Sequence, residues 1–240
     1  MTHSEVTARV AILIANEPGE DDDSSAMPWM RRLCRTAARH LPAAGVGVSV
    51  LDDGGVRGIA AASDPISEEL EELQFVLGEG PCLDAYATRR PVLESDVRTG
   101  SRWSGYTPAV LERGVRAVFA FPLQVGAARL GVLDVYRTEP GALSPHALAE
   151  ALSFAELALQ TLLDGQERAD AGTVEPDLAD ALEYRSEIYQ AQGMIMVDLG
   201  VTLTEAMSRL RAHAYAHDRR PGAVARDVVA GRLVLANDAP

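Results

Sequence analysis

YRSEIYQAQGMIMVDLGVTLTEAMSRLRAHAYAHDRRPGAVARDVV, residues 184–229, reads as three short amphipathic helices with stop signals between them. Thr202-Leu203-Thr204-Glu205 is a capping-box pattern, in which Thr and Glu side chains satisfy each other's free backbone donors. Beyond it Leu203, Ala206, Met207, Leu210, Ala214 and His217 recur at helical period and predict one apolar face. Gly200 ends the preceding helix with a residue that tolerates positive φ. That helix starts near Pro176 and sets Leu178, Leu182, Tyr189, Met196 and Leu199 at coiled-coil spacing, with Arg185 and Gln192 interrupting. Polar residues in such a seam fix register rather than maximise stability. Pro221 opens the third helix, where Val224, Ala225, Val228 and Val229 predict the inner face, and Gly231 closes it.

Charge divides along the same line. The chain has 240 residues and a formal net charge of -13. Tyr184 to Arg232 holds seven Arg against five acids, a net of +2, so the remainder carries -15. An acidic body repels polyanions, whereas the last segment tolerates them. Arg219 and Arg220 stand just before Pro221, where free N–H groups and the helix dipole favour an anion. The planar guanidinium fork binds two phosphate oxygens together. A solvated basic corner of a small bundle is the plainer reading of this pair taken alone. All 22 basic residues are Arg, which coding bias accounts for and which is no evidence for RNA.

Ahead of this segment the pattern changes. Residues 1–27 end in EPGEDDDSSA (17–26) and predict a flexible acidic lead, and Met27–Leu41 a helix with Trp29, Met30, Leu33, Ala37 and Leu41 inward. VGVSVL and VRGIAAA predict strands joined at Asp53-Gly54-Gly55, a hairpin signal. Ser67–Leu77 returns to helical spacing with Leu70, Leu73 and Leu77 inside. GEGPC, a short helix and PVLESDV follow, and residues 115–137 predict a second hairpin. Ser144-Pro145 caps a helix through Leu163. Antiparallel strands with interspersed helices predict an α+β domain over 28–163, a polar linker over 164–176, and an all-α domain over 177–235.

The last segment resembles an ANTAR domain, an RNA-binding module of antitermination regulators. The residues that carry the likeness are Arg185, Ile188, Gln190-Ala191-Gln192-Gly193-Met194-Ile195-Met196, Ala206, Leu210-Arg211, His213-Ala214, Arg219-Arg220 and Val224-Ala225. The resemblance implies a three-helix bundle that takes paired RNA stem-loops and stabilises an antiterminator hairpin. It points to Arg185, Gln190, Gln192, Arg211, His213, Arg219, Arg220 and Arg226 as RNA-binding residues. Gln192, Asp218 and Pro221 depart from the family pattern of a basic residue, Asn and Leu, and the first two reduce positive charge.

The strand–helix order, the GEGPC loop and the LGVLDVY strand of 28–163 resemble a GAF domain, a small-molecule sensor fold. Its tandem with an ANTAR domain is a recurring arrangement, especially in actinobacteria. A GAF pocket here would enlist Glu79, Cys82, Trp103, Tyr106, Phe119 and Phe121. No cyclic-nucleotide signature, haem anchor or bilin anchor is visible, so the resemblance identifies no cofactor.

Cys82 follows GEGP at a helix start, where the dipole lowers a thiol's pKa. That opens a redox-sensor reading, or one akin to GAF-fold methionine sulfoxide reductases, although residues 83–163 lack the further cysteines such enzymes need. Packing as a small hydrophobe is the simpler role. His213 and His217 share a helix face without a metal motif around them, and no catalytic constellation stands out. Cys34 and Cys82 are the only cysteines, which implies a reducing compartment. Val10–Ala15 is too short for a signal peptide, and no stretch approaches a membrane span.

The sequence therefore predicts a non-enzymatic, cytoplasmic, homodimeric regulator that binds RNA and senses a small molecule, without touching a membrane. A helical protein–protein module is the rival from a different class.

Overall fold

The computed structural model describes residues 2–18, 28–52, 55–100, 102–170, 176–217, 219 and 221–235. Five antiparallel strands form one sheet in the order β2-β1-β5-β4-β3: β1 is Gly45–Asp52, β2 Gly55–Ala62, β3 Val92–Glu94, β4 Ala117–Val125 and β5 Ala128–Arg137. Helices α1 (His3–Ala15), α2 (Pro28–His40) and α6 (Pro145–Asp170) cover the back; α3 (Pro65–Leu77), α4 (Pro81–Thr88) and α5 (Tyr106–Glu112) cover the front. Then come α7 (Pro176–Leu199), α8 (Leu203–Ala216) and α9 (Pro221–Val229).

Strand alternation sorts the two faces. Val46 and Val48 of β1, Leu133 and Val135 of β5, and Phe119 and Phe121 of β4 point back into one core with Met30, Leu33, Phe154 and Ala158. The intervening residues of β1 are Gly45, Gly47 and Ser49, small enough to admit α3 close to the sheet. A Cβ on Gly47 would overlap the Glu71 carboxylate of α3. On this front face Val118 and Tyr136 join Leu70, Leu73, Trp103, Tyr106 and Val110 in a second core.

Two expectations need correction. The lead of residues 1–27 is not simply flexible, because Val10 and Ile14 of α1 are buried in the back core. The helix is anchored to α6 by an Arg9–Glu150 ion pair and by Thr7 donating to Glu156 at 3.0 Å. Thr2 and Glu5 form a complete capping box at its start. Residues 19–27 of that lead, and Asp53 and Gly54 of the first hairpin, lie outside the described residues. The stretch read as a linker is helical up to Asp170, so α6 outruns the expected end at Leu163, and 171–175 are outside the described residues. The short helix α5 has no counterpart in the sequence reading.

Helices α7, α8 and α9 close a separate core of Ala191, Ile195, Ala206, Leu210, Ala214, Val224, Ala225 and Val228. Thr202 caps α8 by accepting from the Glu205 amide at 3.2 Å. The ends of the predicted α8 face do not hold, since Leu203 is 49% exposed and His217 lies at the exposed C-cap. Met196 and Leu199, two residues of the expected α7 seam, pack into this same bundle. The side chains of Leu178, Leu182 and Arg185 lie outside the described positions. Among the described residues no helix is long and apolar enough to cross a membrane.

Candidate functional site

The front face of the sheet holds a buried polar cluster. Its parts are Ser49 of β1, Glu71 and Gln74 of α3, Cys82 of α4, Tyr106 of α5, and Asp134 and Tyr136 of β5, all fully buried. Residues 67, 71 and 74 repeat at helical spacing, so α3 turns a polar stripe toward the sheet alongside its leucines. Tyr136 Oη donates to Glu71 Oε1 at 2.7 Å, and Ser49 Oγ donates to Glu71 Oε2. Gln74 Nε2 donates to Tyr136 Oη at 3.2 Å and, at 3.5 Å, to Asp134 Oδ2. Gln74 Oε1 accepts from the Cys82 amide at 2.8 Å, which fixes the start of α4.

Electrostatics here are governed by loss of water. Burial raises the Glu71 carboxyl, against the lowering effect of the Ser49 and Tyr136 hydrogen bonds. Burial, then the charge of Glu71, pushes Asp134 well above the usual carboxyl range. Cys82 departs from expectation: burial, then Asp134 and Glu71, hold its thiol well above the ordinary value. The helix-start dipole is outweighed because a thiolate there would be desolvated beside two acids. A reactive thiol is therefore not what this site presents.

Of the six residues expected around a pocket, the sheet brings Cys82 and Tyr106 to this cluster. Glu79 and Trp103 lie at its rim with other work. Glu79 accepts from the backbone amides of Gly105 at 2.6 Å and Tyr106 at 2.9 Å, capping α5 where Gly105 offers no side chain. Trp103 Nε1 donates to Asp84 at 2.9 Å, and its ring meets Tyr106 edge-on at 6.1 Å. Phe119 and Phe121 face the other way, into the back core, because their register on β4 is odd-numbered while Val118 and Ala120 face front. Glu71, Gln74 and Asp134 escaped the sequence reading; the small alternation Gly45, Gly47, Ser49 was the available signal.

The candidate RNA-binding residues scatter over the last bundle. Gln192 is 6% exposed and donates to the Leu203 carbonyl at 2.7 Å, so it closes the bundle instead of facing a ligand. Gln190 is exposed. Arg219 pairs with Asp227 at 2.5 Å and donates to the Ala223 carbonyl at 3.3 Å, and Arg226 pairs with Glu187 at 3.3 Å. The His213 and His217 rings stack at 4.0 Å, and burial, then His217, lowers the His213 pKa. Arg220 and Asp218 lie outside the described residues. Tyr215, 65% exposed on the same helix, is an aromatic surface that sequence periodicity did not single out.

Arg211 has a different position. Its guanidinium lies over Gly78, the left-handed C-cap of α3 with φ 69°, so close that a Cβ there would stand 2.9 Å from Nη1. The negative end of the α3 dipole favours a cation at this point. Helix α8 thus rests on the front domain. Beside it a cleft of about 680 Å³ is walled by Glu69, Glu72, Glu112 and Arg113 on one side and Tyr215 and Arg219 on the other.

Residues 29–162 match the GAF domain family, and residues 177–229 match the ANTAR domain family. The chain belongs to the GAF family and carries an ANTAR domain behind its GAF domain. A GAF domain of a phosphoenolpyruvate-protein phosphotransferase from Coxiella burnetii is 14% identical, covering 70% of this chain and 96% of that one, with a TM-score of 0.54. The corresponding Acinetobacter domain is 13% identical, covering 71% and 99%, with a TM-score of 0.51. These likenesses show the GAF fold alone. A free methionine-R-sulfoxide reductase from Neisseria meningitidis, 17% identical over 70% of this chain and 91% of that one, reaches a TM-score of 0.48, too low to carry an argument. Among curated proteins none matches at a significant level.

Proposed function

We propose that the protein is an antitermination regulator whose ANTAR domain binds paired RNA stem-loops and whose GAF domain controls that binding through a small ligand. The observation that carries the reading is the ANTAR match over 177–229, seated on a closed three-helix core that presents Arg226, Tyr215 and the Arg219 corner at its surface. Guanidinium forks suit phosphate, and exposed aromatic rings suit unstacked loop bases.

Helix α3 is the element that would join the two activities. Its inner stripe supplies Glu71 and Gln74 to the buried GAF cluster, and its C-cap at Gly78 receives Arg211 of the ANTAR domain. A ligand that shifts α3 changes how well α8 rests on it, provided its affinity differs between the two arrangements. While docked, Arg211 is covered and the acidic wall of Glu69, Glu72 and Glu112 faces the Arg219 side, which opposes RNA phosphate. Pairing of two chains through the front half of α7 would set two ANTAR domains side by side for two stem-loops. Such a regulator works in the cytoplasm, where transcripts are made.

The test is fluorescence anisotropy of a labelled double stem-loop RNA with the full chain and with an Arg219→Ala/Arg220→Ala variant at low salt. Loss of RNA affinity in the variant supports the reading. Equal binding by both proteins, or none by either, contradicts it and favours a protein-binding role for the helical tail.

A further inference from the structure

The GAF cluster contains a feature that a hydrogen-bonded core does not require. One ligand-capable atom each from Glu71, Cys82 and Asp134 lies within 4.8 Å of the others, and all three residues are fully buried. Buried carboxyl groups are normally paired with a cation. Here Ser49, Tyr136 and Gln74 donate to them, the two carboxyl groups bond each other and Asp134 bonds Cys82, but among the described residues no arginine or histidine pairs with either. Two oxygens in the same place are also left without partners. Asp134 Oδ1 is buried and unbonded, and so is Tyr106 Oη, which lies within electrostatic reach of Asp134, Glu71 and Cys82. Native proteins rarely orphan buried polar atoms without a use for them.

We propose that Glu71, Cys82 and Asp134 form a binding site for a borderline divalent cation of the zinc type, with Tyr106 Oη beside the fourth position. One sulfur and two carboxylate oxygens suit zinc; calcium and magnesium take more ligands and only oxygen. Outer support is already built, with Ser49 and Tyr136 holding Glu71 and Gln74 holding Asp134. Gly47 keeps the approach of Glu71 free of a side chain. The cation replaces protons on the thiol and the carboxyl pair, so its affinity rises with pH. The inference rests on the sensor reading in one respect only: the ion is the signal.

Full-length protein stripped with EDTA is titrated with Zn²⁺ and, separately, Co²⁺, following bound metal and the thiolate-to-cobalt charge-transfer band. About one equivalent binds, and Co²⁺ shows the band. Cys82→Ser abolishes the band while Cys34→Ser, altered on the opposite face of the sheet, keeps it. Asp134→Asn weakens Zn²⁺ binding by roughly tenfold or more. Circular dichroism establishes that each variant is folded, and Glu71→Gln replaces any that is not. No bound metal in the parent protein, or a band that survives Cys82→Ser, overturns the site. RNA anisotropy on the same samples separates the two proposals: metal binding without RNA binding sinks the antitermination reading alone, and the reverse sinks the metal site alone.

Discussion

Glu71 of α3 occupies the space that a side chain on Gly47 of β1 would fill. The glycine is what brings a carboxylate, its Ser49 and Tyr136 donors, and the C-terminal half of α3 against the sheet together. Neither residue tolerates enlargement.

Gly47→Ala should therefore destabilise the protein by about 1–3 kcal/mol, the usual cost of overpacking. Urea denaturation measures it. A change within about 0.5 kcal/mol, typical of surface sites, would show that α3 does not pack as described.

The raised carboxyl of Asp134 sets a pH dependence. In metal-free protein the native state keeps a proton that the unfolded chain releases above roughly pH 4. Stability from the neutral group is present below that value and is lost as pH rises toward the folded pKa. Asp134→Asn removes the proton, so its stability relative to the parent should improve from pH 5 to pH 8, by at most about 1.4 kcal/mol per unit. Parallel stability curves for the two proteins would refute this.

Both thiols are fully buried, and burial raises both. Alkylation of native protein at neutral pH should be slower by at least about tenfold than in urea, since the thiolate is the attacking form. Rapid labelling of Cys82 in the folded chain would restore the redox reading.

Acidic residues on the cleft wall should restrain RNA binding. Replacing Glu69 and Glu112 with Gln lowers repulsion of phosphate near Arg219. RNA affinity at low salt should rise by about threefold to tenfold, and the gain should fade as salt screens it. An unchanged affinity would separate the cleft from RNA control.

Much of this architecture was legible because periodicity reports burial. The strand at VGVSVL and the Ala206, Leu210, Ala214 row of α8 each read correctly. Polar residues defeated the same logic. Spacing picks out Leu70, Leu73 and Leu77 but not Glu71 and Gln74, and only the third dimension shows that Gly47 and Ser49 make room for Glu71. Phe119 and Phe121 share a face by alternation, but nothing in a single strand says which layer lies beyond it. Val6, Val10 and Ile14 stand at four-residue spacing, yet the acidic run after them drew the whole lead into one reading. Gln192 looked like a substituted contact residue and is instead a bundle strut.

The most direct test is the affinity of the full chain for a double stem-loop RNA measured across a salt series. Binding that is tightest at the lowest salt, with log affinity falling linearly with log salt concentration at a slope of roughly 0.7–0.9 per phosphate contacted, is the result expected of arginine-mediated recognition. Absence of binding at the lowest salt, or an affinity indifferent to salt, would contradict RNA as the partner of the ANTAR domain.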